Sequence, residues 1–166
     1  MPQSLARILV HAVFSTQGRR PVLQKMTFRS EVHCYLGGIL KHQGCEPIEI
    51  GGIEDHVHIL STFSRTASIS EIIKEVKRGS SLWIKEQDAT LGPFAWQSGY
   101  GAFSIGFSQV EAVRFYIRNQ TEHHRRYSFQ DEFRRMLARY QVAYDERTSG
   151  IKGIPPFSNP FRVGNR

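Results

Sequence analysis

Strand-length apolar runs and amphipathic helical stripes alternate along this chain in the order β, α, β, β, α, β, α, and that order leaves few ways to build a sheet. Residues 6–16 (ARILVHAVFST) are dense in Val, Ile, Leu and Phe over the length of one strand, and the turn-like, basic Gln17-Gly18-Arg19-Arg20-Pro21 follows. Across residues 27–43, Val32, Tyr35, Leu36, Ile39 and Leu40 recur at the i, i+3, i+4, i+7 spacing of a helix that ends near Gly44. Residues 46–50 alternate and run into Gly51-Gly52, and residues 56–63 form a second strand-like run. The short acidic link Glu54-Asp55 between them predicts an antiparallel hairpin. Ser68 and Glu71 make a capping-box signature, with Ile69, Ile72, Ile73, Val76 and Leu82 as the apolar stripe behind it. A further strand is predicted over residues 102–107. Ser108 and Glu111 repeat the capping box for a helix running to about His124, and residues 129–143 predict a shorter helix or arm. The expected fold is α+β: a ferredoxin-like or RRM-like split βαβ antiparallel sheet, helices on one face, and a C-terminal helix that carries Tyr116.

With 166 residues, 40% of them apolar, the chain has material for one core, read as a single domain over residues 1–147. Residues 148–166, with Pro155, Pro156 and Pro160, read as an extended tail. The segment from Leu5 to Ser15 is interrupted by Arg7 and His11, so neither a secretory signal nor a membrane span is expected, and the cytoplasm is the expected location. Cys34 and Cys45 lack the spacing of a zinc knuckle or disulfide framework and are read as packing residues. Lys and Arg outnumber Asp and Glu by 22 to 15, a net charge of +7, which is the footprint of a polyanion binder without naming the polyanion.

Two short patterns can carry chemistry. In His56-Val57-His58 the strand period of two puts both imidazoles on one face, where their nitrogens can converge on a divalent cation, and the adjacent Asp55 can orient a ring from behind. In Tyr116-Ile117-Arg118-Asn119-Gln120 the i, i+4 spacing stacks a phenol and a carboxamide on one side of a helix. A carboxamide oxygen is a neutral, hard ligand that leaves a cation's charge available to phosphate oxygens, and a phenol beside such an ion suits attack on a phosphodiester. Alone, each pattern also fits ordinary surface or packing side chains.

Together they resemble the HUH endonucleases. Within that group they resemble the single-tyrosine transposases of small bacterial insertion sequences, including relatives associated with repetitive extragenic palindromes (REP). The resemblance runs from about residue 7 to 133. It is carried by Val13-Phe14-Ser15-Thr16 with Arg19-Arg20-Pro21, by Asp55-His56-Val57-His58, by Trp96-Gln97 with Tyr100 and Phe103, and by Tyr116-Ile117-Arg118-Asn119-Gln120 followed by His123-His124. It implies a DNA transposase in which His56, His58 and Gln120 bind Mg²⁺ or Mn²⁺. Tyr116 is implied to form a covalent 5′-phosphotyrosine and release a 3′-hydroxyl, with no need for ATP. It also implies a homodimer acting on single-stranded DNA that bears hairpins.

His123 and His124 match the same pattern but are expected to satisfy carbonyls at a helix end rather than to bind metal. Arg19, Arg20, Lys74, Lys77, Arg78, Arg118, Arg125 and Arg126 are candidate phosphate contacts. Trp96, Tyr100 and Phe103 are candidates for stacking on unpaired bases, with core packing as the alternative. Rolling-circle initiators and plasmid relaxases share this chemistry, but there a third histidine often stands where this chain has Gln120. A non-catalytic RNA-binding module of the same plan would show aromatic residues in a signature absent here, whereas a domesticated DNA-binding relative is compatible with every residue named. A zinc hydrolase would want a helical His-Glu-x-x-His, which the sequence lacks.

Overall fold

The computed structural model describes residues 4–144, so the tail at 148–166 and the domain boundary at 147 lie outside the described residues. Four strands, β1 (Ile8–Ser15), β2 (Glu46–Gly52), β3 (His56–Phe63) and β4 (Gly101–Ser104), pair antiparallel in the order β2-β3-β1-β4. Helix α1 (Met26–His42) carries the chain from β1 to β2, and α2 (Ile69–Gln87) carries it from β3 to β4. Each crossover leaves room for one strand between its ends, which is the split βαβ plan.

Strand parity divides the core. Val10, Ala12 and Phe14 of β1 share a face with Val57, Ile59 and Phe63 of β3, and this face receives Val32, Leu36 and Leu40 of α1 and Ile72, Ile73, Val76 and Ile84 of α2. Each such aliphatic side chain contributes about 1.5–3 kcal/mol on full burial. The opposite face is covered by the C-terminal helices, α3 (Val110–Arg118), α4 (Gln120–His123) and α5 (Phe129–Arg139). There Leu9 and Leu60 pack with Ile105, Val110 and Ile117, while Val13 and Phe103 pack with Met136 and Leu137. A strand covered on both faces needs apolar residues at every position, which is why the run at 6–16 reads as nearly continuous.

Helix α2 opens on the expected capping box: Ser68 Oγ accepts from the Glu71 amide at 3.2 Å, and Glu71 accepts from the Ser68 amide at 2.8 Å. Leu82 does not belong to its apolar stripe and is 53% exposed; one and two turns beyond Val76 the buried positions are Ser80 and Ile84. The second capping box does not form. Residues Phe107–Gln109 make a 3₁₀ turn, Gly106 N–H donates to Gln109 Oε1 at 3.0 Å, and α3 begins only at Val110. Accordingly β4 stops at Ser104, and Phe107, expected in the strand, is 78% exposed. The helix expected to run unbroken to His124 is interrupted at Asn119 (φ −97°, ψ 22°), whose side-chain amide donates to the Phe115 carbonyl at 2.7 Å and competes with the helical ladder. Cys45 is buried as expected, but Cys34 lies on the outer face of α1 and is exposed.

His33, on α1, is held neutral: burial, then the neighbouring Arg29 charge, pushes its pKa from 6.5 down to about 4. The unfolded chain therefore takes up this proton first, so the group's contribution is intact above pH 6.5 and is lost as pH falls towards 4. His33→Gln is expected to remove up to about 3 kcal/mol of the acid-induced loss of stability in that window. Urea unfolding at pH 7 and pH 4.5 measures it, and identical pH slopes for the two proteins would refute it.

Candidate active site

The register of β1 with β3 sets Ser15 opposite His56, Val13 opposite His58 and His11 opposite Leu60, so His11, His56 and His58 share the face on which the C-terminal helices lie. His56 and His58 are completely buried. His56 donates from Nδ1 to Asp55 Oδ1 at 2.7 Å. His58 Nδ1 lies 2.9 Å from Nε2 of His11, and one ring must donate to the other. Burial, then the charge of His58, drives the pKa of His11 down to about 3, and burial likewise drives that of His58 down.

Helix α3 approaches this face closely because Gly51 on β2 has no side chain: a Cβ there would lie 2.7 Å from both the carbonyl oxygen and Cγ2 of Ile117. The approach brings the Tyr116 ring edge-on to His58, with centroids 5.7 Å apart at 90°. One turn on, Gln120 is buried, with its Oε1 at 3.1 Å from His56 Nε2. His56, His58, Tyr116 and Gln120 thus meet within one chain.

Sequence reasoning missed the group at the centre of this cluster. Glu132, on α5, is 2% exposed and accepts from the Tyr116 hydroxyl and, at 2.9 Å, from Gln120 Nε2. Its oxygens lie 3.3 Å from His58 Nε2, 3.5 Å from His56 Nε2, 3.0 Å from His124 Nε2 and 3.6 Å from His123 Nε2. Burial alone would raise its pKa, but the imidazoles of His124, His58 and His56 outweigh burial and hold the carboxyl well below the usual carboxylate range. The Tyr116 phenol is pushed far above its ordinary value, by burial first and then by the charge and hydrogen bond of Glu132. A signal was present in the sequence: Glu132 sits one turn before Met136, on the stripe by which α5 packs. His11 carried a similar signal, as the only imidazole within the apolar run of β1.

The residues fit a divalent cation. His56 commits its Nδ1 proton to Asp55, which leaves Nε2 as the nitrogen facing Gln120 Oε1. His58 Nε2 is buried and makes no hydrogen bond among the described residues. A buried imidazole nitrogen facing a carboxamide oxygen needs a proton or a cation between them, and a buried nitrogen without a partner can take a cation.

The basic candidates divide. Arg118 donates to Glu49 Oε2 at 2.8 Å, Arg78 pairs with Glu75 at 2.6 Å and Arg125 with Glu122 at 2.9 Å, while Arg19, Arg20, Lys74 and Arg126 are exposed. Lys77 is turned inward and donates to the carbonyls of Gln97 and Gly99; burial lowers its pKa to about 8. It lines an open cavity of about 500 Å³ with Lys74, Arg78, Trp96 and Tyr100. Trp96 is buried edge-on against Phe14 and donates to Ser80 Oγ at 2.9 Å, and Phe103 is buried against Tyr140, so of the three stacking candidates Tyr100 is the exposed one.

No helix among the described residues is long and apolar enough to cross a membrane. In solved structures the same fold recurs in a protein from Deinococcus radiodurans R1 assigned as a transposase (TM-score 0.56, 19% identity, 72% of this chain and 95% of that one). It recurs again in a REP-associated tyrosine transposase bound to a REP hairpin (TM-score 0.55, 13% identity, 100% of this chain and 96% of that one). At these identities the likeness is one of fold. Among curated proteins no sequence match is found. Residues 4–120 match the family described as "Transposase IS200 like". With most of its length so matched, the chain belongs to the IS200-like transposases, a family of DNA-cleaving enzymes.

Proposed function

We propose that this protein cuts and rejoins single-stranded DNA at hairpin-containing ends, with Tyr116 as nucleophile and Mg²⁺ or Mn²⁺ held by His56, His58 and Gln120. The observation that carries the reading is the meeting, inside one chain, of the Tyr116 phenol with two buried strand imidazoles and a buried carboxamide. The phenol oxygen attacks phosphorus, the bond from phosphorus to the 3′ oxygen breaks, the phenol loses its proton and the 3′ oxygen gains one. DNA is left joined to Tyr116 through its 5′ phosphate. Attack of a 3′-hydroxyl on that phosphotyrosine reverses the step, and the retained bond energy removes any need for ATP. When bound, the cation supplies Lewis-acid stabilisation of charge developing on the phosphate.

The chain's own groups do the positioning. Asp55 fixes the His56 ring through Nδ1, and the His11 ring fixes His58 in the same way. Glu132 Oε1 holds the Tyr116 hydroxyl proton and so sets the direction of the phenol lone pair. The apolar packing of Ile117 and Leu60 keeps the site dry, where electrostatic stabilisation is strongest. A related fold carries a REP hairpin, which supports the hairpin as substrate. Exchange between two DNA ends calls for two such sites, which a homodimer would supply.

The direct test incubates the protein with single-stranded oligonucleotides that carry the hairpins flanking its gene. With Mn²⁺, an adduct to the 5′ phosphate and a free 3′-hydroxyl are expected, with the nucleotide remnant mapped to Tyr116 by mass spectrometry, and EDTA should prevent both. An adduct on another residue would overturn the nucleophile assignment, and no adduct on any hairpin strand would overturn the reaction.

A further inference from the structure

Two more donor atoms face the point where His56 and Gln120 meet, and neither belongs to the ligand set above. We infer that Glu132 and His124 are ligands of the same cation, so that helix α5 and the end of α4 close the metal site over the strand. This rests on the assignment of a cation to His56, His58 and Gln120.

His124 Nδ1 lies 2.8 Å from the Tyr127 carbonyl, which can only accept, so Nδ1 donates and Nε2 is the nitrogen turned towards Gln120 and Glu132. That Nε2 lies 3.0 Å from Gln120 Oε1 and 3.0 Å from Glu132 Oε2. His56 repeats the arrangement: its Nδ1 proton goes to Asp55, and its Nε2 faces Gln120 Oε1 at 3.1 Å and Glu132 Oε2 at 3.5 Å. Two imidazole nitrogens, a carboxamide oxygen and a carboxylate oxygen therefore converge inside the protein, where a cation can take the place of the protons they would otherwise share. Neighbouring ligands on an octahedral ion with bonds of about 2.1 Å stand about 3 Å apart, the spacing seen here.

Glu132 favours a cation for a second reason. It is almost wholly buried, and its ion-pair partners among the described residues are all histidines, which are positive only when protonated. No Lys or Arg is paired with it among those partners, whereas a buried carboxylate normally persists beside a fixed positive charge. Its two oxygens also divide the work: Oε1 accepts from Tyr116 and Gln120, leaving Oε2 on the side of His56 and His124. One carboxylate thereby links the nucleophile to the ion. His124, expected to satisfy a carbonyl at a helix end, instead meets the Tyr127 carbonyl in the turn between α4 and α5 through Nδ1, and its other nitrogen faces the cluster.

The test is Mn²⁺ affinity of the whole chain without DNA, read from the electron paramagnetic resonance signal of free Mn²⁺, with circular dichroism to check the fold. Glu132→Gln and His124→Gln are each expected to weaken binding about tenfold or more, and Glu132→Asp less than Glu132→Gln because it keeps a carboxylate. Glu132→Gln binding as tightly as wild type, or tighter, would overturn the inference and make Glu132 a plug occupying the place of a substrate phosphate. Should the variants fail to fold, wild-type protein labelled with ¹³C at glutamate carboxylates decides: hyperfine coupling to bound Mn²⁺ is expected, and its absence overturns the inference. Adduct formation at Tyr116 is scored separately. Weak Mn²⁺ binding by Glu132→Gln beside a wild type that never attaches DNA upholds these ligands and sinks the strand-transfer reading, and an adduct with unchanged affinity does the reverse.

Discussion

Tyr116→Phe abolishes covalent attachment to DNA, with a fall in cleavage rate of about 10⁴-fold or more, and leaves hairpin binding within about twofold of wild type. The substitution removes one oxygen and little else. Tyr116 is half-buried against Leu60 and Ile117, and the phenylalanine ring keeps that packing. Glu132 loses the phenol donor but retains the Gln120 amide at 2.9 Å, so its carboxylate keeps a direct hydrogen bond. Loss of one hydrogen bond to a charged group costs about 1.5–3 kcal/mol before relaxation, too little to unfold a domain of this size. The collapse in rate is therefore chemical rather than structural. Denaturing gels of a labelled hairpin strand, run beside a gel-shift titration, measure the two quantities separately. A Tyr116→Phe variant that still becomes attached would move the nucleophile to another residue.

The second large effect comes from a residue with no side chain. Gly51→Ala would place a methyl 2.7 Å from the carbonyl oxygen of Ile117, a backbone atom that cannot rotate out of the way, so α3 must lift from β2. Overpacking of this kind costs about 1–3 kcal/mol. The kinetic cost is larger in proportion, because Ile117 is flanked by Tyr116 and followed by Gln120: a displacement of about 1 Å carries both away from His56 and His58 and lowers the cleavage rate about 10²-fold. Gly38→Ala is the matched control, since a Cβ at Gly38 on α1 meets nothing within 4 Å and alanine is the better helix former. Single-turnover cleavage and urea unfolding are the readouts. Wild-type rates for Gly51→Ala would show that the closeness of α3 to the sheet is immaterial to the chemistry.

Much of this architecture was written in local periodicity. The 3.6-residue stripes of α1 and α2, the hairpin of β2 and β3 and the capping box at Ser68 all depend on neighbours in the chain. Where local reading failed, another force had taken over. The Ser108 capping box lost to a 3₁₀ turn in which Gln109 caps the Gly106 amide, and the helix through Tyr116 broke at Asn119, whose side-chain amide bonds the Phe115 carbonyl alongside its own backbone N–H. Leu82 was assigned to the core of α2 on hydrophobicity, yet the helical phase gives that place to Ser80, which takes the indole N–H of Trp96.

For the site, the sequence by itself determined which side chains share a surface: His56 with His58 by strand parity, and Tyr116 with Gln120 by one helical turn, because both spacings follow from backbone geometry alone. Only the tertiary structure decided that these two pairs meet, through a glycine that lets α3 lie against β2, and that Glu132 and His124 join them. Glu132 is 74 positions beyond His58 along the chain, 132 against 58, and no periodicity spans that distance. What unites them is the burial of Met136 and Leu137 against Val13 and Phe103, a long-range packing contact that carries the carboxylate in with it.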